Sequence, residues 1–234
     1  MSIWQTCEGE RHIQHLKVKP WRVVEAQHIL SARDLVDTSD EHDILEALLE
    51  QSKPAIEMNK NYLIDTPFRY PPLKYGSRFG GLYEPSLWYG SLELKTALAE
   101  VAYYMKKFHA DSTADLSYIE TMHTAFQVKT ETTHGVDLTQ KPFHQFQQQI
   151  SHPIDYEISQ QLGSDMRQSQ VKAFLFTSAR CPHQLTNFAA FDAGVFHPNQ
   201  QQYVFNQQSW WCISDRTQVE FKRTHFNQSE NWVF

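Results

Sequence analysis

Residues 89–104 read YGSLELKTALAEVAYY: the end of a short strand, a turn, and an amphipathic helix. Leu94, Ala97, Leu98, Val101, Ala102 and Met105 recur at the three–four spacing that places them on one helical face. The helical part of the stretch holds one carboxylate, Glu100, with no Lys or Arg three or four residues away on either side. Its helical neighbours are Thr96, Ala97, Tyr103 and Tyr104, which are small or aromatic. The helical wheel sets Glu100 away from the apolar centre, so the pattern alone favours an ordinary solvated acid.

Upstream of this stretch the chain changes character twice. Residues 22 to about 56 read as mostly helical. In SDEHDILEALLEQSKP, Ser39 or Asp40 is the cap, acids follow in the first turn, Ile44, Leu45, Leu48 and Leu49 share a face, and Pro54 closes the helix. The segment TPFRYPPLKYGSRFGG (66–81) then carries three prolines and three glycines, a composition that argues against a regular helix. It is rich in groups suited to flat, anionic ligands: Arg69, Arg78, Tyr70, Tyr75 and Phe79.

Downstream, strands dominate. YIETMHTAFQVKT (118–130) alternates as a strand does, VKAFLFTSAR suggests a buried strand ending at Ser178, and TNFAAFDAGVF and QVEFKRTHF follow as apolar and late-strand segments. Between them, the Gln-rich stretch 144–170 suggests helical pieces interrupted at His152-Pro153 and at Gly163. Helices leading and strands closing the chain predict an α+β fold. It is read as a single domain over 1–234, with an N-terminal helical layer over about 1–60 packed on a core over about 62–234.

Composition narrows the class of function. With 41% apolar and 21% charged residues the chain belongs with folded globular proteins, and its net charge of −6 gives no general attraction to nucleic acid or anionic membrane. Three scattered cysteines without a C-x-x-C pair suggest neither a disulfide framework nor a metal site. No apolar run approaches a membrane span and the N-terminal twenty residues do not resemble a signal peptide, so a cytoplasmic setting is expected. There is no G-x-G-x-x-G or Walker-type loop, and the Cys181–His183 pair lacks an orienting third residue.

Three places concentrate polar groups: Arg69 with Arg78, Glu100, and Ser178 with Arg180. Each has an ordinary reading, as a surface cation stacked on a ring, a solvated acid, or a strand-end cap. Together, however, FRYPP, GSRFGG, YGSLELKTALAE and FLFTSAR resemble the RES-domain family, the toxin half of a class of bacterial toxin–antitoxin modules. Arg78 matches the family arginine, Tyr89 its tyrosine, Glu100 the acid of its T-A-x-x-E run, and Ser178 its serine, while Arg69 corresponds to an earlier arginine that faces the ligand. The resemblance runs from about residue 20 to about 200, and the 11-residue steps Arg78–Tyr89–Glu100 carry much of it.

The resemblance implies a fold similar to the ADP-ribosyltransferases, a split mixed sheet surrounded by helices. It also implies cleavage of the nicotinamide–ribose bond of NAD⁺, which would be the substrate, with no true cofactor and no metal. Hydrolysis, phosphorolysis and transfer of ADP-ribose to a protein all remain open, as does a non-catalytic NAD-binding or interaction module. Arg69, Arg78, Tyr89, Glu100 and Ser178 would bind NAD⁺, with Arg78, Glu100 and Ser178 in the reaction. The implied partner is an Xre-like helix-turn-helix antitoxin in an inhibitory complex, within which the toxin could pair as a homodimer. The chemistry of the residues agrees. Guanidinium forks suit a pyrophosphate, tyrosine faces suit a cationic nicotinamide, and a carboxylate suits an oxocarbenium-like ribose. The leaving group is already cationic, so a second carboxylate as general acid is unnecessary.

Overall fold

The computed structural model describes residues 1–26, 36–52, 60–69, 74–114, 116–181, 183–225 and 228–234. In chain order come the short helix α1 (Ile3–Thr6), strands β1 (Gln14–Val18) and β2 (Trp21–Glu25), and helices α2 (Ser39–Ser52) and α3 (Tyr62–Arg69). Strand β3 (Trp88–Ser91), helix α4 (Leu94–Asp111) and the long strand β4 (Ile119–Asp137) follow. Helices α5 (Gln147–Ile150) and α6 (Glu157–Gln168) precede β5 (Ala173–Thr177), β6 (Thr186–Ala190), β7 (Phe196–His197), β8 (Val204–Ser214), β9 (Val219–His225) and β10 (Gln228–Val233).

Strand β4 organises the sheet. Its 19 residues extend roughly 60 Å at most, long enough to pair with different partners along its length. It pairs antiparallel with β1, β2, β7 and β8, and parallel with β5 where Gly135–Asp137 meet Ala173–Leu175. From β4 the order runs through β2, β3, β6 and β5 and returns to β4, closing one side, while β8, β9 and β10 extend the other. This is the expected mixed sheet with helices around it.

Helix α4 lies where the two sides of the sheet diverge, against β2, β3, β6 and β9. Its Ala97, Leu98 and Ala102 pack with Val23, Ala125, Trp210 and Phe221. On the opposite side Phe79, Leu162, Met166, Phe174 and Phe176 form a second cluster beneath α6. Among the described residues no helix is long and apolar enough to cross a membrane.

Three local expectations need correction. The N-terminal layer is not wholly helical: residues 14–18 and 21–25 are strands, and β2 lies inside the sheet between β4 and β3. The helical reading holds over Ser39–Ser52, while Pro54 and Tyr70 lie outside the described residues. Pro67 does not exclude a helix either, because α3 runs through it. A proline removes the donor for the carbonyl four residues back, Leu63, and that carbonyl accepts the indole N–H of Trp88 at 3.4 Å instead.

The third correction is Gly163, which lies within α6 rather than interrupting it. A Cβ at this position would come within 2.2 Å of the Phe79 carbonyl oxygen, so the glycine lets the helix backbone rest directly on the Gly-rich turn. Gly163→Ala should therefore cost about 1–3 kcal/mol, despite alanine's better helix propensity. Urea denaturation measures it; an unchanged or raised midpoint would mean the turn yields without strain.

His123 on β4 is 2% exposed, edge-on to Phe221 at 5.5 Å, and burial brings its pKa down to about 4 from 6.5. Between those values the unfolded chain binds a proton that the folded chain refuses. Stability from this residue is thus complete above pH 6.5 and lost as pH falls toward 4, to a limit of about 3 kcal/mol. His123→Phe keeps the ring and removes the titration. Relative to wild type its stability should rise by about 2 kcal/mol between pH 7 and pH 5. Parallel stability curves for the two proteins would refute this.

Candidate active site

The turn that carries Arg78 is held at both ends. Ser77 and Gly80 bridge through their backbones, and Gly76 leads in at φ +70, where a side chain would meet the Gly80 carbonyl at 2.4 Å. Phe79 is fully buried, edge-on to Phe174 at 4.7 Å and to Phe176 at 4.8 Å. Gln160 of α6 donates to the Ser77 carbonyl at 3.0 Å. With Phe79 locked inward, Arg78 lines a cavity of about 560 Å³ between the turn, α4 and residues 153–156. Its Nη1 donates to the His152 carbonyl at 2.6 Å, and its guanidinium lies 4.6 Å from the centroid of the Tyr156 ring.

Tyr89 enters from β3. Its hydroxyl meets Ser77 Oγ at 3.0 Å and accepts the Phe79 N–H at 3.2 Å, joining the strand to the turn. Burial raises its pKa above the ordinary phenol value, so it is neutral at physiological pH. Beside it, Arg22 on β2 donates to the Tyr89 carbonyl at 3.0 Å and lies 5.1 Å from the Trp88 ring. Burial lowers the Arg22 pKa to about 10, which leaves the guanidinium charged at neutral pH.

Glu100 projects from α4 into the same cavity. Its Oε1 accepts two short hydrogen bonds, from Ser178 Oγ and from Asn187 Nδ2, both at 2.6 Å. Each donor is itself fixed. Ser178 Oγ accepts the backbone N–H groups of Arg180 and Cys181, both at 3.1 Å, and Asn187 Oδ1 accepts from Ser91 Oγ at 2.6 Å. Among the described residues nothing bonds Oε2. The acid that looked solvated on the helical wheel is covered by the ends of β5 and β6, which the wheel cannot register.

Arg78, Tyr89 and Glu100 therefore line one cavity. Ser178 is 3% exposed and stands behind Glu100; its hydroxyl donates to the carboxylate and backbone N–H groups occupy its oxygen, an arrangement for positioning rather than nucleophilic attack. Arg69 is not brought in: it is buried at the end of α3 and is not among the residues lining the cavity. The second arginine there is Arg22, and with Asn187 and Tyr156 it was not singled out from the sequence. Asn187 had a signal, as a lone amide in the apolar run TNFAAF.

Two guanidinium groups, several tyrosine rings and an oriented carboxylate make a cavity suited to a ligand with an anionic centre and a flat, electron-poor end. A chain in the crystal structure of the M. tuberculosis MbcT–MbcA toxin–antitoxin complex shares this fold, with a TM-score of 0.52 and 9% identity over 88% of this chain and 90% of that one. No curated protein sequence matches the chain. The family model of the RES domain matches residues 55–215, a span that includes Arg78, Tyr89, Glu100, Ser178 and Asn187, and the chain belongs to that family.

Proposed function

We propose that this RES-domain protein is the toxin of a toxin–antitoxin module and acts by breaking the nicotinamide–ribose bond of NAD⁺. The observation that carries the reading is the Glu100 carboxylate, fixed through Oε1 by Ser178 and Asn187 on the wall of a cavity that also presents Arg22 and Arg78. When the C1′–N bond breaks, its electron pair stays with nicotinamide, which leaves neutral, and positive charge develops on the ribose. An ionised carboxylate held against that charge lowers the barrier, and it needs no rearrangement to do so. Arg78 and Arg22 supply planar donors for the pyrophosphate, and the tyrosines supply faces for the nicotinamide ring. A water or phosphate oxygen then bonds to C1′, and a water nucleophile yields its proton to solvent.

Incubating the purified protein with NAD⁺ and identifying the products tests this. Free nicotinamide is expected, together with ADP-ribose, its 1″-phosphate when phosphate is required, or ADP-ribosylated protein. Intact NAD⁺ after prolonged incubation would overturn the proposal.

The partner in this reading is an Xre-like antitoxin that covers the cavity, acting on a cytoplasmic toxin. The structural neighbour comes from a toxin–antitoxin complex, and this chain's acidic balance leaves DNA binding to the partner. Co-expression with the neighbouring gene's product should restore growth and abolish NAD⁺ loss. A tight complex that kept full activity would exclude occlusion.

A further inference from the structure

Arg180 has no part in the chemistry above, yet it touches three elements of the site. Its backbone N–H bonds Ser178 Oγ, the group that holds Glu100. Its guanidinium lies 3.3 Å from the centroid of the Tyr103 ring on α4. Its Nη2 donates to the Pro153 carbonyl and, at 3.1 Å, to the Tyr156 hydroxyl.

The segment it grips, residues 152–156, forms one wall of the cavity through Pro153, Ile154 and Tyr156. It is a small self-contained loop, in which His152 Nδ1 accepts the N–H of Asp155 at 2.9 Å and of Ile154 at 3.4 Å. Its start is pinned where Ser151 Oγ donates to the Thr177 carbonyl at 2.6 Å, and α6 begins directly after it. Between these points the loop is tied to Arg78 through His152, to Arg180 through Pro153 and Tyr156, and to Tyr104 of α4 through the Tyr156 hydroxyl.

The two arginine ties are not equivalent. Arg78 faces the cavity, and a phosphate is a far stronger acceptor for a guanidinium than a peptide carbonyl. A bound anion therefore draws Arg78 from His152, whereas Arg180, stacked on Tyr103 and outside the cavity lining, keeps its hold. We infer that Arg180 is a positioning residue that keeps loop 152–156 closed as a flap over the reacting end of the bound substrate, linking that flap to the Ser178–Glu100 pair. The kinetic part of this inference rests on the NAD⁺-cleaving reading; the clamp itself does not.

The test compares Arg180→Gln, Arg180→Lys and Tyr156→Phe by hydrogen exchange of free protein and by NAD⁺ kinetics. In Arg180→Gln the peptide covering 152–158 should exchange at least about tenfold faster, with α4 and β5 unchanged. Its kcat should fall at least about tenfold without a rise in KM, since Arg78 still takes the phosphate. Arg180→Lys should be intermediate, because an ammonium can reach one acceptor but cannot stack as a planar fork. Tyr156→Phe, which removes a hydroxyl that meets both Arg180 and Tyr104, should shift exchange in the same direction by less. Unchanged exchange at 152–158 in Arg180→Gln overturns the clamp whether or not NAD⁺ is the substrate. A raised KM at unchanged kcat, with faster exchange, overturns the positioning role and makes Arg180 a substrate contact. If the wild-type protein spares NAD⁺, the proposed function fails, and the exchange results alone still decide the clamp.

Discussion

Glu100→Gln is expected to slow NAD⁺ cleavage by at least about 10²-fold while leaving the fold and ligand binding in place. The substitution keeps volume and shape, so packing around α4 should not change. Its effect is larger than loss of one charge. Ser178 and Asn187 both donate to Oε1, so the glutamine amide must place its oxygen there to satisfy them. Its NH₂ group is then forced to the cavity side, where positive charge develops on the ribose. A carboxylate that attracts the transition state becomes a donor that repels it. Nicotinamide release in single-turnover conditions measures the chemical step, and calorimetric titration with NAD⁺ checks that binding survives. Turnover near that of wild type would remove Glu100 from the reaction.

The elements legible in the sequence are those built locally, while the site residues on them, and Ser178 beyond them, are assigned by the family resemblance. The turn with Arg78, the strand with Tyr89 and the helix with Glu100 follow one another, and their turn residues and helical periodicity define them without tertiary information. Arg22 is different. The run WRVVE is too short for periodicity to separate a buried strand from a helix segment, and only its pairing with β3 and β4 makes it a strand. Asn187 gains meaning through Ser91 and Glu100, contacts that exist because β6 pairs with β3 and lies against α4. Pro67 and Gly163 misled for a related reason. Each breaks a local rule, and each is accommodated by a distant group: the Trp88 indole and the Phe79 backbone. Propensity is a weak prior wherever tertiary contacts can satisfy what the local chain leaves open.

The pair of donors behind Glu100 leads to the second large effect. If Ser178 were a nucleophile, Ser178→Ala alone would lower turnover as far as Glu100→Gln or further, and Asn187→Leu would matter little. If both residues position the acid, each single change removes one of two short hydrogen bonds to the same oxygen. Losing such a bond to a charged group costs about 1.5–3 kcal/mol, so each variant should lose roughly ten- to a hundredfold in kcat/KM. The changes should not be independent, because the remaining donor in each single variant still restrains Oε1. With both gone the carboxylate is free to rotate, and Ser178→Ala/Asn187→Leu should approach the level of Glu100→Gln although Glu100 is still present. Asn187→Leu should also lower stability by about 1–3 kcal/mol, since the 1% exposed Ser91 loses its acceptor. Measuring kcat/KM and urea stability for wild type, both single variants and the double variant closes the cycle. Strict additivity would mean that Ser178 and Asn187 act separately, and a double variant no worse than Ser178→Ala would show that the amide does not hold the acid.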